Sequence, residues 1–212
     1  MIPALYSDDD ILIIDKPSGL AVQPGEGVRI CVLDAVERDY GFRPFLVHRL
    51  DRETAGCLVV ARSSRAAADM SALIAGRGAL KVYRAVVAGR PEPASGTYRD
   101  DVQVRGVDKS AETRYRTIFS DGRLTLVEAE LGSGRMHQIR QHFAKAGHPI
   151  AGDDRHGDFK LNKLLAREFG IKRLMLYAAR LRLALAVPVE ALAALPPHFA
   201  DFFVRWAYGG GE

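Results

Sequence analysis

Residues 113–131 read Thr-Arg-Tyr-Arg-Thr-Ile-Phe-Ser-Asp-Gly-Arg-Leu-Thr-Leu-Val-Glu-Ala-Glu-Leu. Two β-like runs, Thr113 to Phe119 and Leu124 to Leu131, flank Asp121-Gly122. Such a pair between two runs signals an antiparallel hairpin, because tight hairpin turns need residues that tolerate positive φ. Further strands are expected over Asp10 to Asp15, Gly56 to Ala61, Leu80 to Ala88 and Leu174 to Val187, each apolar and bounded by charges or turn residues. Helical spacing covers Ile30 to Tyr40 and the stretch from Ser63 or Ser64 to about Arg77, with Met70, Leu73 and Ile74 on its core face. Three more helices are expected over Arg135 to Ala146, Leu161 to Phe169 and Pro197 to Ala207. Lys16-Pro17-Ser18-Gly19, Val22 to Gly27 and Pro91 to Gly96 are loops by their Pro and Gly content. No regular strand–helix–strand alternation is present. The expectation is an α+β fold with a largely antiparallel sheet, in one domain over 1–212 with room for two lobes.

The 212 residues carry a net charge of +4, and 48% are hydrophobic, enough for a substantial core. The excess of cations permits a polyanionic partner without requiring one. Cys31 and Cys57 lack any close pairing spacing and read as two buried thiols of a cytosolic protein. The N-terminus has no basic region followed by an apolar run and cleavage site, and no stretch approaches the roughly 18 apolar residues of a membrane span. A cytoplasmic monomer without membrane association is expected.

Two charged stretches hold the candidate chemistry. The first is His48-Arg49-Leu50-Asp51-Arg52-Glu53, between an apolar triplet and a strand. It reads either as a solvated turn or as a loop that presents a carboxylate and cations to an anionic substrate. The second is Gly134-Arg135-Met136-His137-Gln138-Ile139-Arg140. On a helix, Met136, Ile139, Phe143 and Ala146 share one face, and Arg140 sits at its margin with His137 one turn earlier. An arginine at a core boundary calls for a carboxylate neighbour, since an uncompensated buried charge costs about 3–5 kcal/mol. That neighbour is either a structural acid or Asp51. His137, His142 and His148 with Asp153 and Asp154 do not form a convincing metal set, because His137 and His142 are five residues apart and point to different helix faces. No phosphate-cradling or nucleophile-elbow motif occurs.

His48-Arg49-Leu50-Asp51-Arg52-Glu53-Thr54-Ala55-Gly56 resembles the catalytic motif of RluA-type pseudouridine synthases. Gly134 to Arg140 resembles that family's Gly-Arg-x-His-Gln-Ile-Arg motif, and Lys81-Val82-Tyr83-Arg84-Ala85 its Lys-x-Tyr-x-Ala strand. Asp15 to Leu20 and Gly147 to Asp153 match two further landmarks in order. The resemblance implies a bent central sheet flanked by helices and loops, with a catalytic cleft across its middle. It implies that Asp51 is the catalytic aspartate, that Tyr83 packs against the target base, and that Arg140 pairs with Asp51. Leu176 would line the uracil pocket, and Arg49 would enter the RNA where the base flips out. His48, Arg52, Lys81, Arg135 and His137 complete the implied substrate-binding set. Two positions depart from the family pattern: Ala55 stands where Ser is usual, and Tyr177 where His is usual. The first catalytic strand starts near Asp10, leaving no room for the S4 RNA-binding domain of many relatives.

The implied reaction breaks the uridine N1–C1′ bond and rejoins the base through C5. It is an isomerisation, so no cofactor or metal is expected. Positive character at C1′ suits a carboxylate, which would attack that carbon or remove the C2′ proton. Base extrusion costs a few kcal/mol, and an aromatic such as Tyr83 offers a stacking surface. The expected partner is ribosomal or transfer RNA. A non-catalytic RNA-binding protein and a metal-dependent hydrolase are the competing readings.

Overall fold

The computed structural model describes residues 1–76 and 78–208. The fold is a mixed α+β arrangement with mostly antiparallel strands. In chain order the elements are β1 (Ala4–Ser7), β2 (Ile11–Lys16), α1 (Val32–Tyr40), β3 (Phe45–Leu46), β4 (Ala55–Ala61), α2 (Ser64–Ala75) and β5 (Ala79–Ala88). There follow β6 (Ser95–Tyr98), β7 (Asp101–Val104), β8 (Val107–Ser110), β9 (Thr113–Ser120), β10 (Leu124–Leu131), α3 (Gln138–Lys145) and α4 (Phe159–Glu168). The chain ends with β11 (Leu176–Leu183), β12 (Val189–Leu192) and α5 (Pro197–Tyr208). It divides into two compact units, Met1–Lys81 with Ala178–Ala194, and Val82–Tyr177 with the segment from Leu195. No described helix is long and apolar enough to cross a membrane.

In the first unit β2 pairs antiparallel with β4 from Ile11↔Ala61 to Lys16↔Gly56. All seven residues of β4 are buried, as its continuous apolar run requires: both of its faces are covered. Ile11, Ile13, Cys57 and Val59 cluster with Ile74 of α2 and with Leu181, Leu183, Val189 and Ala191 from the β11–β12 pair. Met70 and Leu73 pack against that cluster as the helical spacing predicts. Ser63 caps α2 by accepting from the Ala66 N–H at 3.1 Å. Arg77, the expected end of this helix, lies outside the described residues. Both cysteines are buried free thiols, as expected.

The second unit is built on β5, β10, β9 and β6, paired antiparallel in that order. The Asp121-Gly122 hairpin forms where the sequence places it. Asp121 Oδ1 accepts from the Arg123 and Leu124 N–H groups at 2.8 and 2.7 Å, and Gly122 takes φ +88°. The same carboxylate receives Trp206 Nε1–H at 2.6 Å, which docks α5 on the turn. Half-buried Tyr98 packs against buried Tyr115 and Phe143, the two tyrosine rings stacked at 4.8 Å. The β7–β8 hairpin is held by α3: the Gln103 N–H donates to Gln141 Oε1 at 2.8 Å, and Gln141 Nε2 donates back to the Gln103 carbonyl at 3.1 Å.

Several expectations are corrected. β1, β3, β6, β7, β8 and β12 are strands that the sequence pattern misses, and Leu174 to Val187 is a strand only over Leu176–Leu183. The third helix starts at Gln138 rather than Arg135, because His137 takes a left-handed conformation, φ 54°, that an α-helix cannot continue through. Met136 is therefore outside the helix and 37% exposed, not part of its core face.

Gly56 shows how closely the first unit is packed. Its φ is +107°, and an added Cβ would lie 2.2 Å from the Ala178 carbonyl oxygen. Gly56→Val is expected to destabilise the protein by about 2 kcal/mol or more. An unchanged urea unfolding midpoint would contradict the close approach.

Candidate active site

The loop that carries Asp51 is tied to the turn after β2. Lys16 is fully buried, and its ammonium donates to the carbonyls of Pro17 at 2.9 Å, Leu20 at 2.8 Å and Arg52 at 2.9 Å. The Gly19 N–H donates to the same Arg52 carbonyl at 2.9 Å, Arg52 Nε donates to the Gly19 carbonyl at 3.0 Å, and Ser18 Oγ donates to the Glu53 carbonyl at 2.8 Å. Asp15 to Leu20 and His48 to Gly56, separate stretches in the chain, are thus one construction. Burial pushes the Lys16 amine down to about 8, against the opposing pull of the Glu53 and Asp51 charges. Asp51 itself starts a turn closed by the Thr54 N–H on its carbonyl at 3.1 Å. Buried Leu50 anchors that turn, while Arg49 and Arg52 are exposed.

Two members of the predicted binding set are engaged with the backbone of the first unit. The Val59 N–H of β4 donates to His48 Nε2 at 3.1 Å. Burial, and then the charge of Lys81, press the His48 imidazole down to about 4, so it is neutral at pH 7 and brings no positive charge to a phosphate. Lys81 is buried on β5, and its Nζ donates to the Ile74 carbonyl at 3.3 Å, in the last turn of α2. A cation there complements the unpaired carbonyls of a helix end.

In the second unit the later motif is organised by buried polar residues. Arg140 is 5% exposed, deeper than the helix margin expected for it. The carboxylate neighbour it calls for is present in Asp153: Arg140 Nε donates to Oδ2 at 2.8 Å and Nη2 to Oδ1 at 2.7 Å. Asp153 Oδ1 also accepts from the Arg155 and His156 N–H groups at 3.0 and 2.9 Å. Burial alone would raise the Asp153 carboxyl, but Arg140 and these backbone donors outweigh it and hold the group below its ordinary value. The acid of the Gly147 to Asp153 motif is thus a partner of the other motif's arginine.

Gln138 is buried, and its side chain makes four hydrogen bonds. Its Oε1 accepts from Ser133 Oγ at 2.7 Å and from the Arg135 N–H at 3.0 Å. Its Nε2 donates to the Glu112 carbonyl at 2.8 Å and Thr113 Oγ1 at 3.0 Å. The relay continues to His142, whose Nε2–H donates to the Asp100 carbonyl and whose Nδ1 accepts from Thr113 Oγ1. Burial lowers the His142 pKa, in keeping with that neutral tautomer. His137 Nδ1 and His156 Nε2 are 2.9 Å apart, and His148 Nδ1–H donates to the Ala88 carbonyl at 2.9 Å. Among the described residues no group of three or more His, Cys, Asp or Glu is placed to hold a metal. Tyr83 is buried on β5 opposite Ala129 of β10, Arg135 is exposed, and Leu176 is buried at the start of β11. Tyr177 beside it packs edge-on against Phe199, with ring centroids 4.9 Å apart.

Structural comparison places this fold among pseudouridylate synthase domains. Human RNA Pseudouridylate Synthase Domain Containing 4 superposes with a TM-score of 0.84 at 25% identity, covering 97% of this chain and 93% of that one. A family model described as RNA pseudouridylate synthase matches residues 10–145, and the chain belongs to that family. Ribosomal large subunit pseudouridine synthase C of Vibrio cholerae is 37% identical over 192 residues, spanning 84% of this chain and 60% of that protein. The Escherichia coli protein of the same name is 36% identical over 196 residues, with the same coverage. The chain therefore spans about 60% of the length of these curated relatives. The resemblance to the RluA type seen in the motifs is borne out.

The folded His48 ring takes a proton only near pH 4 and the unfolded ring near 6.5, so between these values the unfolded state holds the extra proton. Its contribution to stability is intact above about pH 6.5 and is lost as the pH falls toward about 4. Wild type should lose stability relative to His48→Gln, whose side-chain carbonyl can still accept from Val59, by up to about 1.4 kcal/mol per pH unit in that window. Parallel urea-stability profiles for the two proteins would rule this out. Arg140→Met strands the Asp153 carboxylate and should cost about 3–5 kcal/mol, much of it recovered in Arg140→Met/Asp153→Leu. If the double variant is no more stable than the single one, the pair is not the source of the loss.

Proposed function

We propose that the protein is an RNA pseudouridine synthase in which Asp51 is the catalytic carboxylate. The observation that carries the reading is the fixing of the Asp51 loop by Lys16, Ser18 and Gly19 within the segment that matches the family model. A loop held at the carbonyls of the two residues after Asp51 keeps a carboxylate in a set position, as attack on C1′ or removal of the C2′ proton requires. Both routes need an ionised carboxylate. Arg140 is assigned as the guanidinium that favours ionisation of Asp51, and Tyr83 as the platform for the extruded uracil. Leu176 supplies an apolar wall for the base. Arg49, Arg52 and Arg135 are exposed and suit contacts to phosphate; His137 completes the binding set, while His48 and Lys81 serve it from beneath. Large-subunit ribosomal RNA is the substrate suggested by the names of the curated relatives, with transfer RNA the alternative within the class.

RNA labelled with tritium at uracil C5 releases it to water when the base is rejoined through C5. Wild type should release tritium, and Asp51→Asn should lower the rate by about 10³-fold or more while binding RNA with little change. Normal release by Asp51→Asn would remove Asp51 from the chemistry. Tight binding by wild type without any release would favour an RNA-binding protein on the same scaffold.

A further inference from the structure

A hollow of about 230 Å³ lies in the first unit, lined by Gly19, Ala21, Gly27, Val28, Arg29 and Arg52 among others. It is smaller than the roughly 300–1,000 Å³ of sites that enclose drug-sized ligands, so it suits a single small group. Two arginines are among its lining residues. Arg52 is oriented by its Nε bond to the Gly19 carbonyl, and its own carbonyl is gripped by Lys16 and the Gly19 N–H. The Glu53 carboxylate lies 3.6 Å from the same Nε and offsets part of that charge. Arg29 has no ion-pair partner among the described residues. Four arginines on or beside the β-sheet of the second unit differ: Arg84 and Arg116 pair with Glu128, Arg114 with Glu112 and Glu130, and Arg99 with Glu112. Those charges are answered by neighbouring carboxylates, and the charge of Arg29 at the hollow is not. Gly19 and Gly27 adopt φ of +88° and +69° with open space where a Cβ would stand, so they shape the walls by their backbone turns.

We infer that this hollow receives a backbone phosphate of the RNA strand that carries the target uridine, with Arg29 and Arg52 as its cationic ligands. Arg52 follows Asp51 directly, so a phosphate bound there ties the strand to the turn that carries the carboxylate. The inference rests on the reading of the protein as an RNA pseudouridine synthase. Phosphodiester and free phosphate share the chemistry that two guanidiniums recognise, and the experiment separates them.

Binding of a fluorescent single-stranded RNA oligonucleotide to the intact chain is followed across a salt series for wild type, Arg29→Gln, Arg29→Lys and Arg90→Gln. Arg29→Gln should bind about three- to tenfold more weakly, with a log K against log[salt] slope shallower by about 0.7. Arg29→Lys should keep most of the slope, and Arg90→Gln, whose arginine is paired with Glu92, should match wild type. Single methylphosphonate linkages placed along the oligonucleotide should weaken wild type at one position and leave Arg29→Gln indifferent there. Wild-type affinity and slope in Arg29→Gln would overturn the inference. So would a flat methylphosphonate scan together with a rise in Tm of wild type, but not Arg29→Gln, on adding inorganic phosphate at constant ionic strength; the hollow would then be a site for free anion. Tritium release is read in parallel: its absence with Arg29-dependent RNA binding defeats the catalytic reading alone, and its presence without Arg29 dependence defeats the phosphate subsite alone.

Discussion

The buried ammonium of Lys16 governs the geometry of the first unit around Asp51. An ion taken out of water costs several kcal/mol, and the cost is met only if its hydrogen-bonding capacity is filled. Three carbonyls fill it, and they come from two loops. The Pro17–Leu20 turn wraps the amine, and the Arg52 carbonyl draws in the segment next to Asp51. β2 ends at Lys16, and Lys16 is in register with Gly56 at the start of β4. Both loops leave the ladder at the same level, so one ion can hold them together. Loss of the ammonium would cost the loop its position before it cost the strands their pairing.

The second unit uses the inverse device. There the buried ion is an anion, Asp153, and its donors are the two nitrogens of Arg140 and two backbone N–H groups. This bidentate contact fixes the guanidinium plane, which a lysine would not do. Gln138 plays a neutral version of the same part, with all its hydrogen-bonding directions used by Ser133, Arg135, Glu112 and Thr113. Hydrogen bonds run from Gln138 at the start of α3 through Thr113 and His142 to Asp100, at the root of the β7–β8 hairpin. Groups held in such networks pay their ordering cost on folding rather than on meeting a substrate.

Much of the fold was legible because long apolar runs have one reading. β2, β4, β5, β9, β10 and α2 lie where period and punctuation put them. β6, β7, β8 and β12 are four residues each and carry Gly, Asp, Lys or Glu, so their strand character comes from pairing partners rather than composition. The start of α3 is hidden for another reason: a left-handed His137 is set by its surroundings and leaves no mark in residue type.

The site was legible by residue type and order, and obscure in its support. Patterns of hydrophobicity find a core by its apolar members, so a polar residue inside it looks like one on the surface. Lys16, Gln138, Gln141 and Asp153 are all buried, and none has a signal of its own beyond its place in a motif. Arg140 could be read further, because a charge beside apolar neighbours at helical spacing demands compensation. That demand specifies a charge and not an address, and Asp153 answers it thirteen residues later in the chain. The same logic applies to cations at the surface. With 30 Lys and Arg against 26 Asp and Glu, the net charge says little about polyanion binding. What decides it is which arginines already have acids, and pairing of that kind exists only once the strands are in register.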